Sequence, residues 1–321
     1  MANVSTATVS MVLNGKKNIS RATRDRVEKI AREQNYIPNA AARGLVGSSM
    51  NMLGIVMPDI AEPFNAAVLR AISKHIREKT SYKLVLYDMF TAQDWQNGFY
   101  DRFSTEGVDG VIHKAVEMSD EELALVKKIT APMVILENEL DWADCVTVRN
   151  YDGAYQATRY LANKGHKNIA LISCERASKV IQARIKAFKR ALEDSGLAFD
   201  EKYVFNTPIF NAKYGMEAAD YFHGLSTKPT AVFSIAGDYV ACGFMARIKK
   251  LAYKVPDDFA IIGYDNLEVC EYLDPQLTTV AQPLDEMAEA AIDLLLGRIK
   301  DRDRPFETRE FRAELIIRDS T

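Results

Sequence analysis

The stretch Ser5-Thr-Ala-Thr-Val-Ser-Met-Val-Leu-Asn14-Gly15 predicts a short helix with a defined beginning and end. Ser5 suits the N-cap, where its hydroxyl accepts from the N–H groups of the first turn, and Gly15 can end the helix in a left-handed conformation. Apolar residues recur at helical spacing and predict a buried stripe formed by Val9, Val12 and Leu13. An ordinary amphipathic helix is the alternative interpretation of this stretch taken alone.

The other faces of this helix carry small, uncharged side chains, many of them with hydroxyl groups. Such side chains allow a helix to enter the major groove of DNA closely, to touch thymine methyl groups and to hydrogen-bond phosphates. The candidate DNA contacts on this helix are Ser5, Thr6, Ala7, Thr8, Ser10, Met11 and Asn14.

A second helix is predicted over about residues 21–34, where Ser20 can cap the first turn. Its inward face is apolar, and its outer faces carry Arg24, Arg26, Lys29 and Arg32. Two motifs, V-S-x-A-T-V-S-x-V-L-N-G from Val4 and N-Y-x-P-N-A-A-A-R-x-L ending at Leu45, then complete the pattern. Together they closely resemble the headpiece of the lactose-repressor (LacI/GalR) family of bacterial transcription regulators.

This resemblance implies a helix-turn-helix headpiece over residues 1–37 and a hinge helix with its linker over residues 38–50. Arg24 and Tyr36 are then candidates for phosphate contact, Asn39 can cap the hinge helix, and Leu45 matches the wedge that enters the minor groove. Family members carry about ten further residues before the position of Val4. We therefore expect the first helix of the helix-turn-helix to be missing and the headpiece to be truncated.

Charge is unevenly distributed along the 321 residues. Residues 1–50 carry a net charge of +5, so the remainder carries −8 of the total of −3. A basic head on an acidic body suits a DNA-binding protein. The four cysteines are widely spaced and form no metal-ligand or disulfide pattern, and no apolar run reaches the length of a membrane span. We expect a cytoplasmic protein with no cofactor, no metal and no membrane partner.

From Met52 onward, apolar strand-like runs alternate with amphipathic helical stretches, which predicts an α/β fold with parallel sheets. The body resembles the type I periplasmic sugar-binding fold, with two doubly wound parallel-sheet subdomains behind the all-α headpiece. The expected crossovers lie near Asn150, Thr278 and Pro305. The effector-binding N-subdomain is then 51–150 plus 279–305, and the C-subdomain is 151–278 plus 306–321.

The resemblance also implies an effector site in the cleft between the two subdomains. A planar guanidinium, aromatic rings and carboxylates after the strands suit a molecule with several hydroxyl groups. The candidate residues are Phe64, Asn65, Glu137, Ser178, Val180, Arg184, Phe210 and Asp265. Each also has a plain structural interpretation, such as a core ring, a salt bridge to a neighbouring helix or a helix cap. Gly237 stands where many family members have a side chain, and we expect it to remove a contact to the ligand.

The sequence predicts a homodimeric transcriptional repressor that binds a pseudo-palindromic operator under the control of a sugar or sugar derivative. A nucleoside or purine is the second candidate effector. The alternatives are a sugar-binding protein without DNA-binding activity, a periplasmic sugar-binding protein and an α/β enzyme. No phosphate-binding, dinucleotide, nucleophile-elbow or zinc-protease motif occurs, so an enzyme is not expected.

Overall fold

The structure is a computed structural model that describes residues 3–13, 19–34, 50–88, 107–114, 120–175 and 178–321. Near the N-terminus, helix α1 (Thr6–Leu13) packs against helix α2 (Arg21–Glu33). Ser5 and Ser20 accept from the backbone N–H groups of Thr8 and Thr23 at 3.1 and 3.3 Å, so both predicted caps are present. Val12 and Val27 are buried, in line with the apolar faces predicted for the two helices.

Six strands of the described chain form the first sheet: β1 (Met52–Met57), β2 (Lys83–Asp88), β3 (Gly110–Lys114), β4 (Met133–Leu136), β5 (Asp144–Arg149) and β11 (Thr308–Arg312). They are all parallel, in the order β11-β5-β4-β3-β1-β2. The helices that belong to this subdomain are α3 (Pro63–Lys79), α4 (Asp120–Val126) and α10 (Leu284–Lys300). Helix α10 lies against α3 and the central strands.

The second sheet contains β6 (Ile169–Cys174), β7 (Val204–Thr207), β8 (Ala231–Ser234), β9 (Ala260–Asp265), β10 (Thr278–Ala281) and β12 (Glu314–Ile316). Its order is β12-β10-β9-β8-β6-β7, and only β12 runs antiparallel to its neighbour. The accompanying helices are α5 (Asn150–Asn163), α6 (Lys179–Asp194), α7 (Ala212–Gly224), α8 (Asp238–Lys250) and α9 (Val269–Tyr272). The sheets confirm the predicted pair of doubly wound α/β subdomains.

The central strands are largely apolar because helices cover both faces of each sheet, and polar residues such as Lys114 and Asp265 stand at their carboxyl ends. All six residues of β6 are buried, as are five of the six residues of β1. One hydrophobic core cluster includes residues of both sheets, and a further cluster lies in each subdomain. The two subdomains therefore share apolar packing near the crossovers.

Two of the crossovers between the subdomains lie at positions other than those expected from the sequence. The chain passes between the sheets at Asn150, after β10 and after β11, whereas the sequence interpretation placed the second and third crossings near Thr278 and Pro305. Thr279 stays in the second sheet because β10 pairs with β9 and β12, and its hydroxyl also donates to the buried carboxylate of Asp238 at 2.6 Å. Glu307 leads β11 onto the first sheet because its N–H donates to Asp144 Oδ1 and its carbonyl accepts from Cys145 N–H.

Candidate functional site

A cavity of about 280 Å³ lies between the two subdomains, at the carboxyl ends of the strands of both sheets. The first wall follows β1, β3 and β4, and the second wall follows β6, β7, β8 and β9. Doubly wound sheets bind ligands beyond the carboxyl ends of their strands. The cavity is large enough for a small molecule and lies where this fold binds one.

All eight effector-site candidates from the sequence line this cavity. They are Phe64, Asn65, Glu137, Ser178, Val180, Arg184, Phe210 and Asp265. The structure brings together residues that are up to 201 positions apart in the chain, from Phe64 to Asp265. Contact of these residues with an effector remains a prediction.

The first wall contains a buried ion pair that reaches the cavity. Lys114 Nζ lies 3.1 Å from Glu137 Oε2, and both side chains are 7% exposed. The same ammonium group donates to Asn65 Oδ1 at 2.6 Å and lies 4.9 Å from the centre of the Phe64 ring. Asn65 in turn donates to the carbonyls of Pro58 and Asp59. Asn65 therefore positions Lys114, and its polar atoms are largely used within the protein.

Helix α3 begins at the first wall of the cavity. Glu62 accepts from the backbone N–H groups of Phe64 at 3.1 Å and Asn65 at 2.9 Å, which makes its carboxylate the helix cap. Burial raises the pKa of Glu62, while these N–H donors and the charge of Lys114 oppose the rise. The carboxylate thus occupies the helix N-terminus that faces the cavity.

The second wall is organised by Arg184, which is 5% exposed. Its Nε donates to Asn150 Oδ1 and its Nη1 donates to the Ile235 carbonyl, each at 2.9 Å. The guanidinium carbon lies 3.5 Å from the centre of the Tyr264 ring, and Nη2 lies 4.0 Å from Asp265 Oδ1. Arg184 is thus held by its own subdomain and by the first crossover, and only part of its donor set faces the cavity.

Asp265 lies at the end of β9 in a left-handed conformation, with φ of 109°. Its Oδ1 accepts from Gln282 Nε2 at 2.8 Å. Burial raises the pKa of Asp265 well above the usual range, while Arg184 opposes the rise. The alternative interpretation of Asp265 as a helix cap is wrong, because the residue at the N-cap of α9 is Glu268.

Glycine occupies position 237 for a structural reason that the sequence did not reveal. It precedes α8 with φ of 94°, and a Cβ built on it would lie 3.1 Å from Asp265 Oδ2. A left-handed conformation favours glycine, and the space beside it is taken by the carboxylate. Glycine here fits the position of Asp265, and the expected loss of a ligand contact remains a prediction.

Two further helices begin at the second wall. Ser178 is buried and caps α6 by accepting from Ile181 N–H at 3.1 Å, and Asn211 caps α7 by accepting from Lys213 N–H at 2.9 Å. Phe210 is half-buried and packs on both the shared core cluster and the C-subdomain cluster. The second wall therefore offers an aromatic ring and capped helix ends to the cavity.

Sequence reasoning missed Lys114, Glu62, Asn150 and Gln282. Lys114 ends a strand otherwise made of Gly110, Val111, Ile112 and His113, and no motif marks it as a cavity residue. The signal that could have found it is its place at the carboxyl end of a central strand, where parallel sheets collect functional side chains. Asn150 carried a signal as well, because the sequence placed a crossover there.

The DNA-contact candidates lie mostly in α1 and beside it. Ser5 and Ala7 are exposed, Met11 is 39% exposed, and Thr8 is half-buried. Arg24 lies in α2. Asn14, Tyr36, Asn39 and Leu45 fall outside the described residues, as do the side chains of Thr6 and Ser10. Their contact with DNA remains a prediction.

Neither a metal site nor a membrane span is found in the part of the chain that the structure describes. No group of three or more potential metal ligands comes together there. None of the described helices combines the length and apolar character needed to cross a bilayer.

Comparison with protein families gives two matches. Residues 1–39 match the family described as bacterial regulatory proteins, lacI family, and residues 158–321 match a periplasmic binding protein-like domain. A relative from Vibrio vulnificus (strain CMCP6), the HTH-type transcriptional repressor PurR, is 31% identical over 100% of this chain and 96% of its own length. Because such relatives are transcriptional repressors, the prediction that the chain is not an enzyme is confirmed.

Solved structures show the same architecture. The transcriptional regulator CelR in its cellobiose complex has a TM-score of 0.77 and 25% identity, covering 100% of this chain and 97% of its own. A LacI family transcriptional regulator from Enterococcus faecium with bound ribose has a TM-score of 0.74 and 27% identity, covering 84% of this chain and 98% of its own. The chain belongs to the lacI family of bacterial regulatory proteins and is a DNA-binding transcriptional regulator.

Proposed function

We propose that this regulator is a repressor whose operator affinity is controlled by a carbohydrate bound in the cleft between its two subdomains. The observation that carries the proposal is that all eight candidate residues line one cavity at the facing ends of the two sheets. A ligand there contacts both subdomains at once, so its binding free energy depends on their relative orientation. A ligand that binds two orientations unequally shifts the balance between them.

The chemistry of the lining supports a carbohydrate. The rings of Phe64 and Phe210 line opposite walls, while Glu137, Lys114 and Arg184 offer acceptors and donors for hydroxyl groups. Two structurally similar regulators, at 25% and 27% identity, were solved with cellobiose and with ribose. A nucleoside is the rival effector, because the same two rings could stack on a base.

The contacts of Arg184 suggest how the ligand is linked to subdomain orientation. Arg184 lines the cavity and donates to Asn150, the residue at which the chain first crosses between the subdomains. Asn150 also donates to the Val148 carbonyl in β5 and accepts from the Tyr264 hydroxyl. A ligand that contacts Arg184 therefore acts on a hydrogen-bond network at the crossover.

The DNA side of the proposal rests on the sequence. Two hinge segments in a homodimer would enter the minor groove through Leu45 while α1 of each protomer enters the major groove. A change in subdomain orientation changes the distance between the two hinges, and with it the operator affinity. Because operator DNA lies in the cytoplasm, we propose that compartment for the protein.

The test is binding of the chain to DNA fragments from the region upstream of its own gene, measured by fluorescence anisotropy at low ionic strength. Ribose, glucose, cellobiose and adenosine are then added one at a time. We expect one sugar to change the affinity for a fragment at least about fivefold, the lower end of typical coupling between sites. A response to adenosine alone would replace the carbohydrate by a nucleoside.

Leu45→Ala separates the two halves of the proposal. We expect it to weaken binding to the fragment while the sugar still raises the melting temperature, because Leu45 belongs to the DNA side. Arg184→Ala is the matched variant on the ligand side and should remove the thermal shift. Loss of the thermal shift in Leu45→Ala would show that this residue supports the effector domain instead.

A further inference from the structure

The electrostatics of the cavity lining restrict the effector beyond the proposed class. The described part of the lining holds four carboxylate side chains, Asp59, Glu62, Glu137 and Asp265, and two cationic side chains, Lys114 and Arg184. Both cations already face a carboxylate, at 3.1 Å from Lys114 to Glu137 and at 4.0 Å from Arg184 to Asp265. Within the described lining, no cationic side chain is left without an acidic neighbour.

Helix N-termini are the other source of positive potential in a cleft of this fold, since their N–H groups bind phosphates readily. Four of the described helices begin at the cavity, and protein groups occupy or face the start of each one. Side chains of Glu62, Ser178 and Asn211 accept from the first-turn N–H groups of α3, α6 and α7. At α8, Asp238 lies in the first turn, and the Asp265 carboxylate lies beside Gly237.

The Lys114–Glu137 pair nevertheless keeps the means to contact a neutral ligand. An ammonium group has three N–H donors. Among the described residues, Asn65 and Glu137 are the oxygen acceptors at 2.6 and 3.1 Å, and the centre of the Phe64 ring lies 4.9 Å away, so one N–H group is not taken by these two oxygen atoms. A donor and a carboxylate side by side suit two adjacent hydroxyl groups, one accepting from Lys114 and the other donating to Glu137.

We infer that the effector is an uncharged, unphosphorylated sugar and that the Lys114–Glu137 pair is the specificity-determining element that excludes sugar phosphates. The inference rests on the proposed carbohydrate effector and makes it more specific. A phosphate group would bring between one and two negative charges next to Glu137, which lies 3.1 Å from the ammonium group that would have to compensate them. Lys114 would have to leave Glu137 in order to compensate such a charge.

The test uses matched pairs of sugars with the full chain in isothermal titration calorimetry. The pairs are ribose with ribose 5-phosphate, glucose with glucose 6-phosphate, and cellobiose with its 6′-phosphate, and inorganic phosphate is titrated separately. We expect at least one neutral sugar to bind, with its phosphate weaker by about tenfold or more, as a single unfavourable charge contact at this depth implies.

Each outcome decides between the proposals. A phosphate ester or inorganic phosphate that binds as tightly as the neutral sugar overturns the inference but leaves a carbohydrate-controlled regulator standing. If neither member of any pair binds, the proposal of a carbohydrate effector is wrong, and the inference that rests on it is wrong as well.

Glu137→Gln tests the role of the pair directly. With Lys114 uncompensated, the preference for the neutral sugar over its phosphate should narrow by about tenfold. Glu289→Gln is the matched control, since it removes a carboxylate 2.6 Å from Lys79 outside the cavity and should leave the preference unchanged. If the folded Glu137→Gln variant prefers the neutral sugar over its phosphate as strongly as the wild type does, the Lys114–Glu137 pair is not the specificity-determining element.

A second variant keeps the test available if Glu137→Gln does not fold. Asp59→Asn removes one lining carboxylate at a half-buried residue with φ of 47°, a conformation that asparagine tolerates. It should narrow the same preference in the same direction by less than Glu137→Gln. A preference that stays constant or widens in Asp59→Asn contradicts the electrostatic basis of the inference.

Discussion

Two buried ion pairs in the described part of the N-subdomain have different surroundings. Arg298 and Asp144 lie at the base of the first sheet, where the guanidinium donates to both carboxylate oxygens at 2.9 and 3.1 Å. Its other N–H groups donate to the carbonyls of Arg302, Arg304 and Pro305. Lys114 and Glu137 lie at the opposite end of the strands and border the cavity.

The difference between the pairs shows how burial can serve stability or recognition. Arg298 is surrounded by protein acceptors, so the pair connects helix α10 to the chain segment that leads into β11. Lys114 and Glu137 line the cavity, and we propose that this pair exchanges a contact with a ligand. Equal burial of two ion pairs therefore does not imply an equal role.

The largest effect is expected for Arg298→Leu. Removing the arginine leaves the Asp144 carboxylate buried without its cation, and the unfolding free energy should fall by about 3–5 kcal/mol. Urea denaturation followed by circular dichroism measures the change. The double variant Arg298→Leu/Asp144→Leu should recover part of the loss, because no isolated charge stays buried. A double variant as unstable as the single one would contradict this assignment.

Lys114→Met should cost less stability and remove ligand binding. The loss should be about 2–3 kcal/mol, since Glu137 is left unpaired but water in the cavity can hydrate it. Urea denaturation and the sugar-dependent thermal shift are measured on the same protein. A stability loss as large as that of Arg298→Leu with an intact thermal shift would place both pairs in the same structural role.

Asp238 is a buried carboxylate that accepts hydrogen bonds from neutral donors, and its titration should make the stability depend on pH. It accepts from the Thr279 hydroxyl and the Leu267 N–H group, and burial raises its pKa to about 6. Because the folded-state pKa exceeds the unfolded value of 3.8, the folded protein binds the proton more tightly. This group should therefore stabilise the protein by about 1 kcal/mol as the pH falls from 7 to 5.

The measurement for Asp238 compares unfolding free energies of the wild type and Asp238→Asn across that pH range. The difference between the two proteins isolates this carboxyl from the other titrating groups. It should change in the stated direction and level off below about pH 4. A constant difference would show that Asp238 does not titrate in this range.

The smallest effect is expected for the exposed pair of Lys79 and Glu289 between α3 and α10. Lys79→Gln/Glu289→Gln should leave both the urea midpoint and the sugar affinity unchanged, because solvent and salt screen exposed pairs. A measurable loss of sugar affinity would mean that the sugar affinity of the cavity depends on the packing of these two helices as well as on the lining residues.

Local patterns explain how far the sequence could be interpreted. Continuous apolar runs such as Leu53–Met57 predicted buried parallel strands, and Ser5 and Ser20 predicted caps that the structure contains. The eight lining residues could be named because the chain resembles the LacI/GalR family, and the ends of parallel strands bring residues at such positions to one edge. Lys114 could not be named, because its importance comes from Glu137 and Asn65, which lie 23 and 49 positions away.

Amino-acid order alone determined the family of this protein, through its N-terminal motifs. It also determined the capped N-terminal helices and the alternation of strands and helices, because those features depend on neighbours within a few residues. Tertiary structure decided which sheet receives Thr278–Ala281 and Thr308–Arg312, since the sheet that a strand joins is specified by the hydrogen bonds available from its neighbours and not by its own alternation. It also decided what each buried charge contacts. Those contacts join distant parts of the chain, and they distinguish the ion pair that supports the fold from the one that faces the cavity.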